Sequence, residues 1–224
     1  FDADRDAVIR RTEEAGIGCI QVGTELATSE AACRLAEPVK NFWATIGQHP
    51  TDTGATFDAA AFEALALHPK VVAIGECGLD YYRRDASDGA RQADVFRAQI
   101  RLAKKVGKPL MIHCRPSVLA DKSYSTDAYD DVLRILAEEN FVNGGAAHFF
   151  VGTSEIAQQF LDIGFCISFS GVITITPISG LAAVILRVAS MPFSSGIWRS
   201  IRIASGSSAA ASAIHGRSSK RPLA

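Results

Sequence analysis

Short apolar segments alternate with longer amphipathic segments over most of the chain. Most of the short segments are apolar throughout, which is typical of strands covered on both faces. They predict six strands, at residues 18–23, 42–47, 71–75, 109–113, 144–150 and 165–170. The amphipathic segments predict six helices, at residues 3–15, 27–37, 56–68, 90–106, 126–140 and 153–163. This regular alternation predicts parallel βαβ units.

Two α/β architectures fit the alternation, an open doubly wound sheet and a closed (β/α)8 barrel of the TIM type. No GxGxxG or GxxxxGK[ST] motif follows a predicted strand, which weakens the nucleotide-binding doubly wound sheet, and we expect no nucleotide cofactor. Polar residues near the ends of several strands favour the barrel, because barrel enzymes gather their chemistry at the C-terminal ends of the strands. The sequence therefore predicts a (β/α)8 barrel.

Composition narrows the class of protein without assigning a function. The 224 residues are 48% apolar and 21% charged, with a formal net charge of −1, which is typical of one globular domain. The five cysteines are widely spaced without a CxxC pair, which indicates reduced thiols, and we interpret Cys77 and Cys114 as packing residues. No signal-peptide pattern occurs, and the apolar stretch near the end is too short for a bilayer. We therefore expect a cytoplasmic, monomeric protein with no membrane partner.

Four predicted strands end close to a histidine or a glutamate. These residues are His49, Glu76, His113 and His148. One such histidine taken alone is more often structural, and His49 is the weakest of the set because it precedes Pro50 in an expected turn. Imidazole and carboxylate groups at one level of a barrel, however, are the ligands that a divalent cation such as Zn²⁺ or Mn²⁺ accepts. The strand ends therefore predict a metal site.

The residues that follow the two central strands are candidates for a substrate cleft. Asp80 and Tyr82 come soon after the predicted strand at 71–75, and their role is open between packing of the loop and contact with substrate. Arg115 is favoured over Arg83 and Arg84 as a phosphate ligand, because it lies two residues beyond a predicted metal ligand. The residues assigned to substrate binding are Asp80, Tyr82, Arg115 and His49.

Several stretches of the sequence resemble one known family in both order and spacing. They are the opening FDADRDAVIRRTEEAG, then ATIGQHP, VVAIGECGLDYYRR, RQADVFRAQIRLAKKVGKPLMIHCR and GGAAHFFVGTSEIAQQFLDIGFCISFSG, and they span residues 1–175. The chain resembles the TatD family of metal-dependent deoxyribonucleases, which belongs with the amidohydrolase-like barrels. GECGLDYY and KPLMIHCR are the most specific of the matching motifs.

The resemblance implies a hydrolase that cleaves phosphodiester bonds in DNA with metal-activated water. It implies two divalent metal ions, of Mg²⁺, Mn²⁺ or Zn²⁺. Glu76 would be the catalytic carboxylate that bridges both ions, and His113 and His148 would complete the shell of the second ion.

Two motifs of that family are missing from this sequence. The His-x-His strand, which supplies ligands to the first metal, would precede Phe1, and the Glu-Thr-Asp-Ser/Ala-Pro motif of the last strand does not occur. We therefore expect an incomplete barrel, with its first strand missing and its last strand region aberrant, that keeps ligands mainly for one metal. Residues 177–224 hold no Asp or Glu. The expected division is a barrel portion at 1–175 and an aberrant Ser/Ala/Arg-rich tail at 176–224, which a frame change would explain.

Three functions remain open on the sequence. The leading hypothesis is a TatD-type nuclease, whose choice of DNA rests on the resemblance alone. A barrel hydrolase acting on amides or lactones would be supported by a lysine at a strand end, and no predicted strand ends on one. The third hypothesis is a catalytically impaired or inactive product that lacks the ligands of the first metal.

Overall fold

Six helices and six strands alternate along the chain. The computed structural model describes residues 3–52, 56–82 and 88–169. The helices are α1 Arg5–Glu14, α2 Leu26–Ala36, α3 Ala59–Ala66, α4 Asp88–Val106, α5 Asp127–Glu138 and α6 Ser154–Asp162. The strands are β1 Cys19–Val22, β2 Phe42–Ile46, β3 Val71–Asp80, β4 Leu110–Arg115, β5 Gly145–His148 and β6 Phe165–Ile167. Every predicted helix and strand overlaps the corresponding observed element.

The strands form one sheet in the order of the sequence, from β1 to β6. The pairs from β2 to β6 are parallel, and one helix lies in each connection between them. A doubly wound sheet reverses its strand order at a switch point, whereas a (β/α)8 barrel adds each strand beside the previous one. The sequential order therefore confirms an α/β fold of the barrel type.

The chain divides into two units, and strands β2–β6 with helices α2–α6 belong to the unit Ile20–Met191. Helix α1 belongs to the other unit. The predicted tail at 176–224 lies outside the described residues, as does position 170, where the last predicted strand ends. Within the described ranges, no helix combines the length and apolar character that crossing a membrane requires.

Local sequence explains where two of the helices begin. Asp58 is the N-cap of α3, and its Oδ1 accepts hydrogen bonds from the backbone N–H groups of Ala60 and Ala61 at 3.1 and 3.0 Å. Thr153 is the N-cap of α6 and accepts a hydrogen bond from the N–H of Ile156. Such caps satisfy backbone donors that have no partner inside the helix.

A group of aromatic side chains forms much of the core beside α5, α6 and β6. The aromatic cluster consists of Tyr129, Phe150, Phe160 and Phe165, each at most 1% exposed. The ring centroids of Tyr129 and Phe150 lie 5.2 Å apart, and those of Phe160 and Phe165 lie 5.9 Å apart. The Tyr129 hydroxyl accepts a hydrogen bond from the backbone N–H of Val151 at 2.9 Å. The cluster therefore buries large apolar rings and leaves its one polar atom paired.

Candidate metal centre

A bulge in β3 carries Glu76. Ile74 pairs with Leu110 and Cys77 pairs with Ile112, so two residues of β3 face the single residue Met111 of β4. The sequence predicted that this strand ends at residue 75, but it continues beside β4 to Asp80. That prediction was wrong because a bulge interrupts the apolar run without ending the strand pairing. Glu76 therefore projects from inside a strand, and not from the loop after it.

Two glycines let β3 pass close to β4 on either side of Glu76. Gly75 has φ 141°, and a Cβ atom there would lie 2.2 Å from the carbonyl oxygen of Met111. Gly78 has φ 136°, and its Cβ would lie 2.1 Å from the carbonyl oxygen of His113. Glycine alone adopts such backbone conformations readily and leaves room for this approach. The glycines of the GECG motif therefore serve the backbone that presents the carboxylate.

Three side chains from neighbouring parts of the sheet bring their donor atoms together. Glu76 lies in β3, His113 in the adjacent β4, and His49 in the segment after β2. Glu76 Oε1 lies 3.0 Å from His113 Nδ1 and 3.9 Å from His49 Nε2. One donor atom from each residue lies within 4.8 Å of the other two. This donor group of nitrogen and oxygen atoms fits a divalent cation such as Zn²⁺.

His113 is held between two carboxylates. Its Nδ1 faces Glu76, and its Nε2 lies 3.0 Å from Asp80 Oδ2. Burial lowers the pKa of His113, but the hydrogen bonds to Asp80 and Glu76 and the negative charges of both carboxylates together outweigh burial, and the pKa is raised. Burial raises the pKa of both carboxyl groups, but the hydrogen bond with His113 and the nearby positive charges together outweigh it, and both pKa values are lowered. The arrangement therefore favours an imidazolium that donates to two carboxylates.

The pKa of His49 shifts in the opposite direction, to below its ordinary value. Burial and the positive charge of His113 lower the pKa of His49, against the weaker opposing effect of Glu76 and Asp80. Its Nδ1 lies 2.8 Å from Thr51 Oγ1, which leaves Nε2 on the side of Glu76. A neutral imidazole offers a lone pair to a metal. The sequence analysis counted His49 as the weakest member of the predicted metal site and assigned it to substrate binding. The structure brings it into the donor group.

His148 is the last residue of β5 and pairs in register with His113. Burial raises the pKa of Glu76, but the pKa is lowered overall by His113, by His49 and, to a smaller extent, by the charge of His148. Among the described residues, the group with donor atoms within 4.8 Å of one another contains His49, Glu76 and His113 and does not include His148. The assignment of His148 as a ligand therefore stays a prediction.

The residues assigned to substrate binding form two contacts, one of Asp80 with His113 and one of Arg115 with Tyr82. Asp80 is the last residue of β3 and is 8% exposed, so it contacts His113 from a strand and not from a loop. The guanidinium carbon of Arg115 lies 3.7 Å from the centre of the Tyr82 ring. Arg115 Nε is buried and forms no hydrogen bond within the described part of the chain. Arg83 and Arg84 lie outside the described residues.

Phe149 was not singled out from the sequence. Its ring stacks near His113 with a centroid distance of 6.3 Å, and its centre lies 5.6 Å from the Arg115 guanidinium carbon. Phe149 also adopts φ 55°, which is uncommon for a bulky residue. Its position directly after His148 was the one available signal. Phe149 therefore lies beside both His113 and Arg115.

Cys77 and Cys114 lie beside site residues but face the core. Both side chains are fully buried. Burial raises the pKa of each thiol well above its ordinary value. A thiol with a raised pKa is a poor nucleophile at neutral pH. The structure therefore confirms their interpretation as packing residues.

Comparison with known sequences connects this geometry to one family. The family described as TatD related DNase matches residues 1–194. Over 176 residues the chain is 37% identical to the "3'-5' ssDNA/RNA exonuclease TatD" of Klebsiella pneumoniae, which covers 76% of this chain and 62% of that one. Over 178 residues it is 38% identical to the "Uncharacterized metal-dependent hydrolase YabD" of Bacillus subtilis, which covers 78% and 65%. The chain thus spans less than two thirds of the length of these relatives.

Solved structures give the same result. The TatD homolog YJJV of Escherichia coli K12 superposes with a TM-score of 0.69 at 28% identity, over 86% of this chain and 70% of that one. A TatD family hydrolase of Entamoeba histolytica superposes with a TM-score of 0.58 at 28% identity, over 74% and 56%. Sequence and fold agree, so the chain belongs to the TatD family.

Proposed function

We propose that this chain carries the metal centre of a hydrolase that cleaves phosphodiester bonds in nucleic acid, with DNA as the expected substrate. The observation that carries the proposal is the donor group, in which Glu76 Oε1 lies between nitrogens of His113 and His49 at 3.0 and 3.9 Å. Membership of the TatD family supports the reaction class. The printed name of the Klebsiella relative, a ssDNA/RNA exonuclease, supports a nucleic acid as the partner.

The proposed ligands are the donor group His49, Glu76 and His113, with His148 as a further ligand. A bound divalent cation supplies a Lewis acid and lowers the pKa of a water molecule. Imidazole nitrogens suit Zn²⁺, whereas the carboxylate oxygen also suits Mn²⁺ and Mg²⁺. The described residues provide one group of donors, so a second metal ion stays a prediction from the family resemblance.

The surrounding residues have separate tasks in this proposal. Asp80 holds the ring of His113 from its Nε2 side, so that Nδ1 faces Glu76. A carboxylate behind a histidine ligand fixes the orientation of the ring and raises its basicity. Arg115, stacked on Tyr82, offers its guanidinium to a phosphate oxygen of the substrate.

The proposal extends to where the protein acts and in what state. All five cysteines are free, and Cys33, Cys77 and Cys114 are buried. Free thiols are typical of a reducing compartment, which supports a cytoplasmic location. We propose that the protein acts as a monomer on a nucleic acid strand.

A nuclease assay tests the proposed function. The 224-residue chain is incubated with end-labelled single-stranded DNA, and in parallel with RNA, in the presence of Zn²⁺, Mn²⁺ or Mg²⁺. We expect cleavage that a chelator abolishes and that Glu76→Gln reduces by more than about 100-fold, because loss of an outer-shell partner alone costs about 10- to 100-fold.

The matched control is Glu63→Gln, which removes a surface carboxylate that pairs with Lys105 at 2.7 Å. We expect this variant to cleave like the unchanged chain, since Glu63 lies outside the donor group. Cleavage that survives Glu76→Gln, or that continues in the presence of chelator, would contradict the proposal. Metal binding without cleavage would support the inactive product instead.

A further inference from the structure

Two buried glutamines lie on the face of α4 that packs against the sheet. Gln92 is 1% exposed and Gln99 is 0% exposed. They are seven residues apart, about two helical turns, so they lie on the same face with Phe96 between them. The amphipathic pattern of residues 90–106 predicts a helix with an apolar face, and two amides on the buried face are not part of that expectation. Buried amides require hydrogen-bond partners, so their contacts reveal their task.

Gln99 holds the backbone next to His49. Its Oε1 accepts a hydrogen bond from the backbone N–H of Gln48 at 2.8 Å, and its Nε2 donates to the backbone carbonyl of Gln48 at 2.9 Å. The amide thus pairs with both polar groups of one residue, as a neighbouring strand would. Gln48 is directly followed by His49, so this contact fixes the origin of the His49 side chain.

Gln92 holds the end of β3 in the same way. Its Oε1 accepts a hydrogen bond from the backbone N–H of Asp80 at 2.8 Å, and its Nε2 donates to the backbone carbonyl of Asp80 at 3.0 Å. The same Nε2 also donates to Asp88 Oδ2 at 2.7 Å. Asp80 contacts His113 at 3.0 Å, so Gln92 fixes the carboxylate on the far side of that ring.

We propose that Gln92 and Gln99 are positioning residues, which together set the distance between Asp80 and His49 on the two sides of His113. The proposal rests on the metal centre proposed above. A helix is a rigid spacer, and both amides project from the same one. We call the hydrogen-bond pair of Gln99 with Gln48 and that of Gln92 with Asp80 the two clamps. The clamps therefore transfer the fixed spacing of the helix to the segment after β2 and to the end of β3. Neither glutamine contacts the donor group directly, so each acts through the backbone that it holds.

An apolar residue would fill the same volume without fixing the backbone. Phe96, Ile100 and Ala103 are each fully buried and already supply apolar packing on this face of α4. The amide of glutamine adds two directional hydrogen bonds, because it offers both a donor and an acceptor. The two glutamines therefore position the backbone in addition to filling the core.

Zinc affinity of the 224-residue chain tests the clamp. We expect Gln99→Met and Gln92→Met to weaken Zn²⁺ binding by about 10-fold or more in isothermal titration, because outer-shell changes cost about 10- to 100-fold in metal affinity. The matched control is Leu102→Ala, which removes a buried side chain of the same helix that is 5% exposed. We expect it to lower the melting temperature and leave zinc affinity unchanged, when all variants are measured well below their melting temperatures. Equal affinity in all four proteins would overturn the proposal.

A double-mutant cycle separates positioning from a general loss of structure. If Gln99 acts through His49, then Gln99→Met should cost little further affinity in a His49→Ala background. Independent, additive losses would count against the clamp. Where Gln99→Met does not fold, Gln92→Met in an Asp80→Asn background tests the other clamp in the same way, because Gln92 holds the backbone of Asp80.

A second measurement needs no metal, and it keeps the clamp separate from the proposed function. The ring centroids of His49 and His113 lie 4.3 Å apart, so their ring protons should give a nuclear Overhauser effect in the metal-free chain. We expect Gln99→Met to abolish this effect and Leu102→Ala to retain it. Its retention in Gln99→Met would overturn the clamp, even if the unchanged chain bound no zinc at all. If the unchanged chain binds no zinc but the two rings separate in Gln99→Met, the proposed function alone is overturned.

Discussion

The aromatic cluster and the donor group belong to the same unit but are maintained by different forces. The aromatic cluster consists of rings that are at most 1% exposed, with one hydroxyl that is paired. The donor group consists of ionisable side chains, which the burial of charge would disfavour without their mutual hydrogen bonds. Apolar packing therefore stabilises the aromatic cluster. The donor group instead holds together ionisable side chains whose burial costs free energy. Substitutions in the two regions should have separable consequences.

The largest effect is expected for Gly75→Ala, which should lower both the stability of the fold and the zinc affinity of the donor group. The new Cβ would lie 2.2 Å from the Met111 carbonyl oxygen at φ 141°. Such a backbone conformation alone costs a residue other than glycine about 1–3 kcal/mol, and the displaced backbone adds to this. We expect a loss of more than about 3 kcal/mol of unfolding free energy together with a loss of zinc affinity. Chemical denaturation and zinc titration measure both, and a variant with unchanged stability would show that β3 does not approach β4 in this way.

Phe160→Ala should affect stability alone. Phe160 is fully buried within the aromatic cluster, and truncation of such a ring typically costs about 3–5 kcal/mol of unfolding free energy. The ring of Phe160 contacts Tyr129 and Phe165 within the aromatic cluster, so zinc affinity of the folded protein should stay the same. Thermal unfolding and zinc titration at low temperature test this pair of outcomes. A parallel loss of affinity would mean that the two regions are coupled.

Asp80→Asn should weaken the metal centre and also lower stability, by less than Phe160→Ala does, because the charge that helps to keep His113 protonated is lost. The substitution keeps the shape of the side chain but removes the charge that faces His113 Nε2 at 3.0 Å. Loss of a carboxylate partner behind a histidine ligand typically costs about 10- to 100-fold in metal affinity. Zinc titration beside a melting curve checks the prediction. A variant that melts much earlier yet binds zinc normally would assign Asp80 to packing, the alternative that the sequence left open.

The smallest effect is expected from pH, and it should act in opposite directions on stability and on metal binding. The carboxylates beside His113 raise its pKa above the ordinary value, despite the opposing effect of burial. Protonated His113 therefore stabilises the metal-free fold below about pH 6.5, the ordinary imidazole value, and this contribution is lost as pH rises through the raised pKa. Zinc affinity should rise over the same interval, since a proton no longer competes for the ring. Melting temperatures and zinc titrations across that interval measure both slopes, and Phe160→Ala should show the same slopes.

Much of the fold could be predicted because its signals are local. Apolar runs gave six strands, and amphipathic segments gave six helices, each of which overlaps an observed element. The parallel βαβ units follow from strand–helix alternation, and the polar residues at the strand ends favoured the sequential order of a barrel over a doubly wound sheet. The residue types of the site were also visible, because Glu76 and His113 interrupt or end apolar runs.

The contacts across strands were not visible in the sequence. The length of β3 depends on a bulge opposite Met111, and no apolar pattern records which residue of one strand faces which residue of the next. His49 enters the donor group and Gln99 holds its neighbour because two distant segments meet in space. The sequence around a helical glutamine is the same whether its side chain contacts a backbone or water. Chain-local chemistry thus determined the elements and the candidate ligands, whereas strand register and helix packing decided which of those ligands meet, because distances between separate segments are set by the packed structure as a whole.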